Sequence, residues 1–224
     1  MECPSHVVSF PRNSSGKRFR HHSYSEIKYY SEQQIKALRR ICRDADTLAR
    51  DKGQVTGIRE WMVIDVLTCT GLRVSECADL KCGDIRTVYG ESELVVRNGK
   101  GGKSRVVQIP DRLKKHLKSY VHWKMERGEP ISQDDFLFIG QRGAMTSQAI
   151  QQIVKKYLKS LGIYEGGKSA HALRHSYAVE YYRQTKDLRG LQKQLGHSSI
   201  QNTQIYADVC KEDIQMNIKG LWGN

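Results

Sequence analysis

Between Gly57 and Cys69 apolar side chains crowd the chain, with Ile58, Trp61, Met62, Val63, Ile64, Val66 and Leu67 inside thirteen positions. That density predicts a helix buried on most sides, because a surface helix shows only one apolar stripe. A helix of this kind must be enclosed by other elements, and the flanking sequence supplies them. Upstream, Ser31 and Gln34 make a capping box, and Ile35, Leu38, Ile41, Cys42, Ala45 and Leu48 recur at helical spacing until Gly53. Downstream, Thr70-Gly71 stops the buried helix and a short one opens near Ser75. Three β-type runs follow, Ile85 to Val88, Glu93 to Arg97 and Ser104 to Ile109, separated by Tyr89-Gly90 and Asn98-Gly99-Lys100-Gly101-Gly102. The remainder reads as helices near 111–127, 147–161, 171–183, 187–195, 200–206 and 211–222. The expected fold is mainly α with a small three-stranded antiparallel sheet.

Residues 1–28 mix Ser, Pro, Gly, His and basic residues without periodicity, the composition of a flexible basic arm before a domain over 29–224. A length of 224 residues suits one domain with an extension. The formal charge of +13 and a pI near 9.5 favour a polyanionic partner, since clustered Lys and Arg displace counterions from nucleic-acid phosphates. Basic ribosomal and membrane-surface proteins share that balance. The charge is uneven: Arg97 to Lys118 holds eight Lys or Arg against the single acid Asp111. A solvated face explains many such runs, but here the run surrounds a glycine-rich turn, which points to phosphate contact.

Cys3, Cys42, Cys69, Cys77, Cys82 and Cys210 form no CxxC pair and no Cys/His cluster at zinc-finger spacing. Reduced thiols and no metal site are expected. No apolar run reaches membrane-span length, and the first thirty residues lack the apolar stretch of a secretory signal. The chain is expected in the cytoplasm, associated with the nucleoid, and without a membrane partner.

Four segments hold groups able to carry chemistry. In Thr70-Gly71-Leu72-Arg73-Val74-Ser75-Glu76 an arginine between two helices could grip a phosphate bidentately while Glu76 orients it; an ordinary i,i+3 surface pair is the alternative. In Asn98-Gly99-Lys100-Gly101-Gly102-Lys103-Ser104-Arg105 a flexible turn could bring a lysine to a leaving alkoxide, or be only a basic hairpin loop. In His171-Ala172-Leu173-Arg174-His175 the i,i+3 spacing sets His171 and Arg174 on one helical face, suited to proton traffic and a second phosphate grip, or to helix capping. Leu195-Gly196-His197-Ser198-Ser199 is followed, nine residues after His197, by Tyr206, which alone would read as a core residue with a wet hydroxyl.

Taken in order, TGLRVSE, NGKGGKSR, HALRH and LGH…Y resemble the catalytic domain of the tyrosine recombinases, the phage-integrase and Xer-type family. The resemblance runs from about Tyr29 to Trp222 and matches six polar positions in sequence order. It implies that Arg73 and Arg174 grip the scissile phosphate, assisted by His171 and His197, while Tyr206 attacks in line. The two-arginine clamp would take the place of a metal, so no cofactor is implied. His171 is the candidate acceptor for the phenolic proton. Lys100 would protonate the leaving 5′-hydroxyl, with Lys103 as second choice; Glu76, Lys103 and His175 are supporting residues. The family's 3′-phosphotyrosine conserves the bond energy of the phosphodiester, so rejoining needs no ATP.

The resemblance further implies four protomers on double-stranded DNA, two active at a time, with a free chain that is monomeric or weakly associated. The stripe Ile214, Ile218, Leu221 and Trp222 would dock into a neighbour or close its own core. Relatives carry a helical domain ahead of the catalytic one, and here about 28 residues precede the first helix. The arm, a partner or a DNA-bending protein would then supply the missing contacts, or the chain is a fragment. DNA contacts are expected from Arg97, Arg105, Lys114 and Lys115, and from Gln148, Gln151, Gln152, Lys155 and Lys156 on the helix from about Thr146 to Leu161. Rival readings are a type IB topoisomerase-like enzyme, a catalytically idle DNA-binding regulator of the same fold, and a basic structural or RNA-binding protein.

Overall fold

Helix formation starts at the capping box. The Ser31 hydroxyl accepts the Gln34 N–H while the Gln34 side chain accepts the Ser31 N–H, and α1 runs Glu32–Asp51. The structure, a computed structural model, describes residues 27–209 apart from 89, 98, 100, 101, 103 and 167–169. The crowded apolar segment is α2, Thr56–Thr70, and every one of its seven large apolar residues noted above is buried. Each such side chain contributes about 1.5–3 kcal/mol on burial, so α2 is the axis of the main core. The helices α1, α3 (Val74–Ala78), α4 (Asp111–Glu126), α5 (Ser147–Ser160) and α6 (Ala170–Thr185) all pack against it.

One charged group interrupts this core. Asp65 on α2 is 1% exposed and accepts from Arg39 of α1 and pairs with His116 Nδ1 of α4 at 2.5 Å. Burial alone would raise its carboxyl pKa, but the bonds from His116 and Arg39 outweigh that and lower it. A buried carboxylate with partners on α1 and α4 ties the flanking helices to α2.

Strands β1 (Ile85–Arg86), β2 (Glu93–Val96) and β3 (Arg105–Gln108) form the expected antiparallel sheet in the order β1-β2-β3, with Leu94 opposite Ile85 and Val107. Leu94, Val96 and Val107 face the core. Strand β1 ends before the expected Val88, which is 65% exposed and has no core to alternate against. A second hairpin, β4 (Ile139–Gly140) with β5 (Gly143–Ala144), was not expected, because two residues a strand are too few to show alternation.

The last described elements are α7 (Leu188–Leu195) and α8 (Gln201–Val209), the latter running on past the expected end at Tyr206. Helix α6 bridges two apolar clusters: Ala172 and Leu173 belong to the main core, whereas Ala178 and Val179 join Leu191, Leu195 and Tyr206. Ile27 and Tyr29 pack on this second cluster, and the Tyr30 N–H donates to Ser176 Oγ at 2.8 Å. The rest of the expected arm, and the expected helix 211–222 with its apolar stripe, lie outside the described residues. Among the described cysteines, Cys42, Cys69, Cys77 and Cys82 are free thiols.

Candidate active site

Gly71 shapes the site by ending α2. It sits in the left-handed region at φ +63, and a Cβ there would stand 2.4 Å from Tyr177 Cδ1. The reversal turns the chain so that Arg73 opens α3. Glu76 accepts the Arg73 N–H at 2.8 Å and Arg73 Nη1 at 2.6 Å. Glu76 is 4% exposed, while the Arg73 side chain is 25% exposed, so this is not an ordinary surface pair. Burial would raise the Glu76 pKa; paired bonds from Arg105, with the Arg73 bonds, bring it down to about 2. Glu76 is therefore a fixed negative charge that aims Arg73.

Arg174 is 2% exposed and spans the site. Its Nη1 donates to Gly71 O and its Nη2 to Leu195 O, both at 2.7 Å, and Nη2 lies 3.2 Å from His197 Nε2. A guanidinium has no acceptor, so His197 Nε2 must be the unprotonated nitrogen. Its Nδ1–H is then free to donate to Thr203 Oγ1 at 3.0 Å. Burial first, and then Arg174, Arg73 and Arg105, push His197 down to about 4 and keep it neutral. Arg174 thus ties the end of α2 to the end of α7, and burial first, then the neighbouring charge of Arg73, pull its pKa down to about 10.

Tyr206 completes the group. It is 1% exposed on α8, and its hydroxyl lies 2.9 Å from His175 Nδ1. The Tyr206 and His197 rings stack with centroids 6.5 Å apart. Burial raises the phenol pKa, and Arg174 and Arg73 pull against that rise. His175 is pushed down to about 4 by burial, His171 and Arg174, and is neutral near pH 7. His171 was expected to take the phenolic proton, yet the phenol is paired with His175. His171 sits one turn earlier on the same helical face, with its ring edge-on to His175 at 4.6 Å; burial and the arginines lower its pKa too. The i,i+4 spacing within HALRH puts both histidines on one face and so leaves open which of them meets the phenol.

The expected DNA-contact residues divide. Arg105 is 11% exposed and turned inward onto Glu76. Arg97 pairs with Asp84 at 2.5 Å and Asp134 at 3.0 Å, and Lys114 Nζ donates to the carbonyls of Val88 and Glu91. Lys115 is exposed. On α5, Gln148, Gln151 and Gln152 are exposed on the face opposite the buried Ile150, Val154 and Leu158. Lys155 lies over Tyr164, and Lys156 reaches Glu60 at 2.6 Å. Lys100 and Lys103 lie outside the described residues.

Residues 28–213 match the model of the phage integrase family. The chain belongs to that family. Among curated phage-integrase relatives, the tyrosine recombinase XerA of Pyrococcus furiosus is 32% identical over 189 residues, covering 84% of this chain and 59% of the relative. Tyrosine recombinase XerC of Bacillus subtilis is 34% identical over 172 residues, covering 72% of this chain and 53% of the relative. A crystal structure of XerA recombinase superposes with a TM-score of 0.68 at 29% identity, covering 88% of this chain and 65% of that one. This phage-integrase chain therefore spans between half and two thirds of the length of these relatives.

Proposed function

We propose that this chain carries the catalytic unit of a site-specific DNA recombinase that cleaves and rejoins DNA through a covalent bond to Tyr206. The observation that carries the reading is the Tyr206 hydroxyl against neutral His175, 2.9 Å away, beside the positive charges of Arg73 and Arg174 and the neutral His197 that pairs with Arg174. Family membership supports it, as does the structure of a relative described as a site-specific recombinase bound to difH substrate, 27% identical with a TM-score of 0.66, covering 80% of this chain and 50% of that one.

In this reading Arg73 and Arg174 hold the scissile phosphate and balance the charge that grows on its oxygens as the phosphorus becomes five-coordinate. The Tyr206 oxygen attacks phosphorus, its proton passes to His175 Nδ1, and the bond from phosphorus to the 5′-oxygen breaks. Lys100 or Lys103 gives the leaving oxygen its proton. The Nε2 lone pair of His197 accepts from Arg174 and holds that guanidinium in place between attack and reversal. Reversal with a different 5′-hydroxyl transfers the strand, with one phosphodiester broken and one formed in each cycle. The partner is double-stranded DNA, the working assembly is four protomers on DNA, and a DNA-bending protein is a candidate accessory. Among the described residues no helix is long and apolar enough to cross a membrane, and the chain is proposed to act on DNA in the cytoplasm, at the nucleoid.

Two labelled duplexes bearing a candidate site separate this reading from its rivals. A recombinase exchanges the labels, a topoisomerase-like enzyme only relaxes a supercoiled plasmid, and an idle regulator binds without doing either. Relaxation with no exchange at any site would contradict the proposal.

A further inference from the structure

Arg105 was expected to touch DNA phosphate, but its side chain has no nitrogen left pointing outward alone. Nη1 donates to Glu76 Oε1 and Nη2 to Glu76 Oε2, both at 2.8 Å, and Nε donates to Gln194 O at 3.1 Å. This is a parallel, two-bond grip on a carboxylate, the geometry for which a guanidinium is better suited than an ammonium. Glu76 is the residue that accepts both the backbone and the side-chain N–H of Arg73. Gln194 is followed by Leu195, whose carbonyl holds Arg174, and by Gly196-His197. Gly196 has φ +66, and a Cβ there would lie 2.7 Å from Arg105 Cδ, so the arginine passes directly beneath the turn that presents His197. One guanidinium is thus in contact with the supports of Arg73, Arg174 and His197 together. Arg105 is also the first residue of β3, two positions after Lys103, at the root of the glycine-rich turn.

We propose that Arg105 is a positioning residue for the cleavage step. It acts through Glu76 on Arg73 and through the Gln194 carbonyl on the turn carrying His197, and it makes no contribution to holding DNA. The proposal rests on the recombinase reading above. Strand β3 does not depend on Arg105 for its docking. Gln108 at its far end exchanges two bonds of 2.9 Å with the Gln194 side chain, one through the backbone N–H and one through the backbone carbonyl. Replacing Arg105 therefore leaves the strand attached to α7 and releases only the guanidinium contacts.

The test compares the full chain with Arg105→Lys and Arg105→Met in two measurements: affinity for a duplex carrying the site, and the single-turnover rate of covalent adduct formation on a nicked form at saturating protein. Arg105→Lys keeps the charge but cannot make the paired grip. The rate is expected to fall about 10-fold in Arg105→Lys and about 100-fold in Arg105→Met, with affinity and its salt dependence within twofold of the parent. A third readout separates positioning from simple loosening. In Arg105→Met the buried Glu76 loses its paired cation and takes up a proton at higher pH, so the acid limb of the rate profile moves upward. Adding Glu76→Gln should remove that movement. Affinity falling in step with rate would return Arg105 to the DNA-contact residues, and unchanged rates would remove it from the site; either overturns the proposal alone. A parent chain that binds the duplex yet forms no adduct would instead overturn the recombinase reading, and this proposal with it. Thermal unfolding of each variant within a few degrees of the parent is the expected control, and a collapse of Arg105→Lys would show a structural role in place of a positioning one.

Discussion

His175 and His197 are each pushed from an ordinary value of 6.5 to about 4, by burial first and then by neighbouring charges. The unfolded chain therefore binds more protons than the folded one between pH 6.5 and about 4. Stability from these groups is complete above the unfolded pKa and is lost as pH falls through that window. Glu76, held at about 2 against 4.5, acts with the same sign and begins below 4.5. With allowance for partial solvent screening, the free energy of unfolding should drop by about 2 kcal/mol from pH 7 to pH 5. Urea midpoints at the two pH values check this, and equal midpoints would show that the histidines are not held neutral. The neutral state also sets the chemistry: His175→Ala should slow adduct formation by about 100-fold or more while leaving DNA affinity unchanged. A larger loss from His171→Ala than from His175→Ala would return the proton-acceptor role to His171. The choice between them was not readable in HALRH, because both rings share a face and only the position of α8 decides which one meets the phenol.

The helical elements were legible because their signals are local. The Ser31–Gln34 box, the apolar crowding of α2 and the stop at Gly71 each act within a few residues. The contacts that assemble the site are not local, and sequence spacing is silent about them. Arg105 meets Glu76 across 29 positions, and Arg174 meets Gly71 across 103. The run of cations around the glycine-rich turn consequently read as one phosphate-facing surface, although Arg97, Arg105 and Lys114 are turned onto protein acceptors. Gly71 links the two levels, since its positive φ ends α2 and its carbonyl anchors Arg174. Gly71→Ala places a Cβ 2.4 Å from Tyr177 Cδ1 in a strained backbone region, so it should cost about 2 kcal/mol or more of stability and most of the cleavage activity. Thermal unfolding and adduct formation would report both, and a parental melting temperature would contradict this account. Within Gln201–Val209 of α8 the buried residues are Thr203 and Tyr206, whereas α2 is buried along most of its length. The α8 amides should exchange with solvent well before those of α2, which would let a 1% exposed nucleophile reach DNA by local opening.

For the whole molecule, charge and fold point the same way. A formal +13 predicts that affinity for duplex DNA falls steeply with salt, by a slope of roughly −0.9 for each phosphate neutralised. Substituting Gln151 and Gln152 on the exposed face of α5 should weaken discrimination between sites more than it changes that slope, because neutral amides read bases and do not displace counterions. The order of the four motifs and the match over residues 28–213 set the family, while the target sequence is a property of surface side chains that no motif encodes. In the proposed reaction Tyr206 becomes covalently joined to DNA. The direct test is to incubate the chain and Tyr206→Phe with nicked duplexes carrying candidate sites, without divalent metal, and to resolve protein from DNA under denaturing conditions. A denaturation-resistant adduct from the parent, absent from Tyr206→Phe and mapping to the peptide that contains Tyr206, is the predicted result. An adduct that persists in Tyr206→Phe, or clear DNA binding with no adduct on any site, would contradict the account.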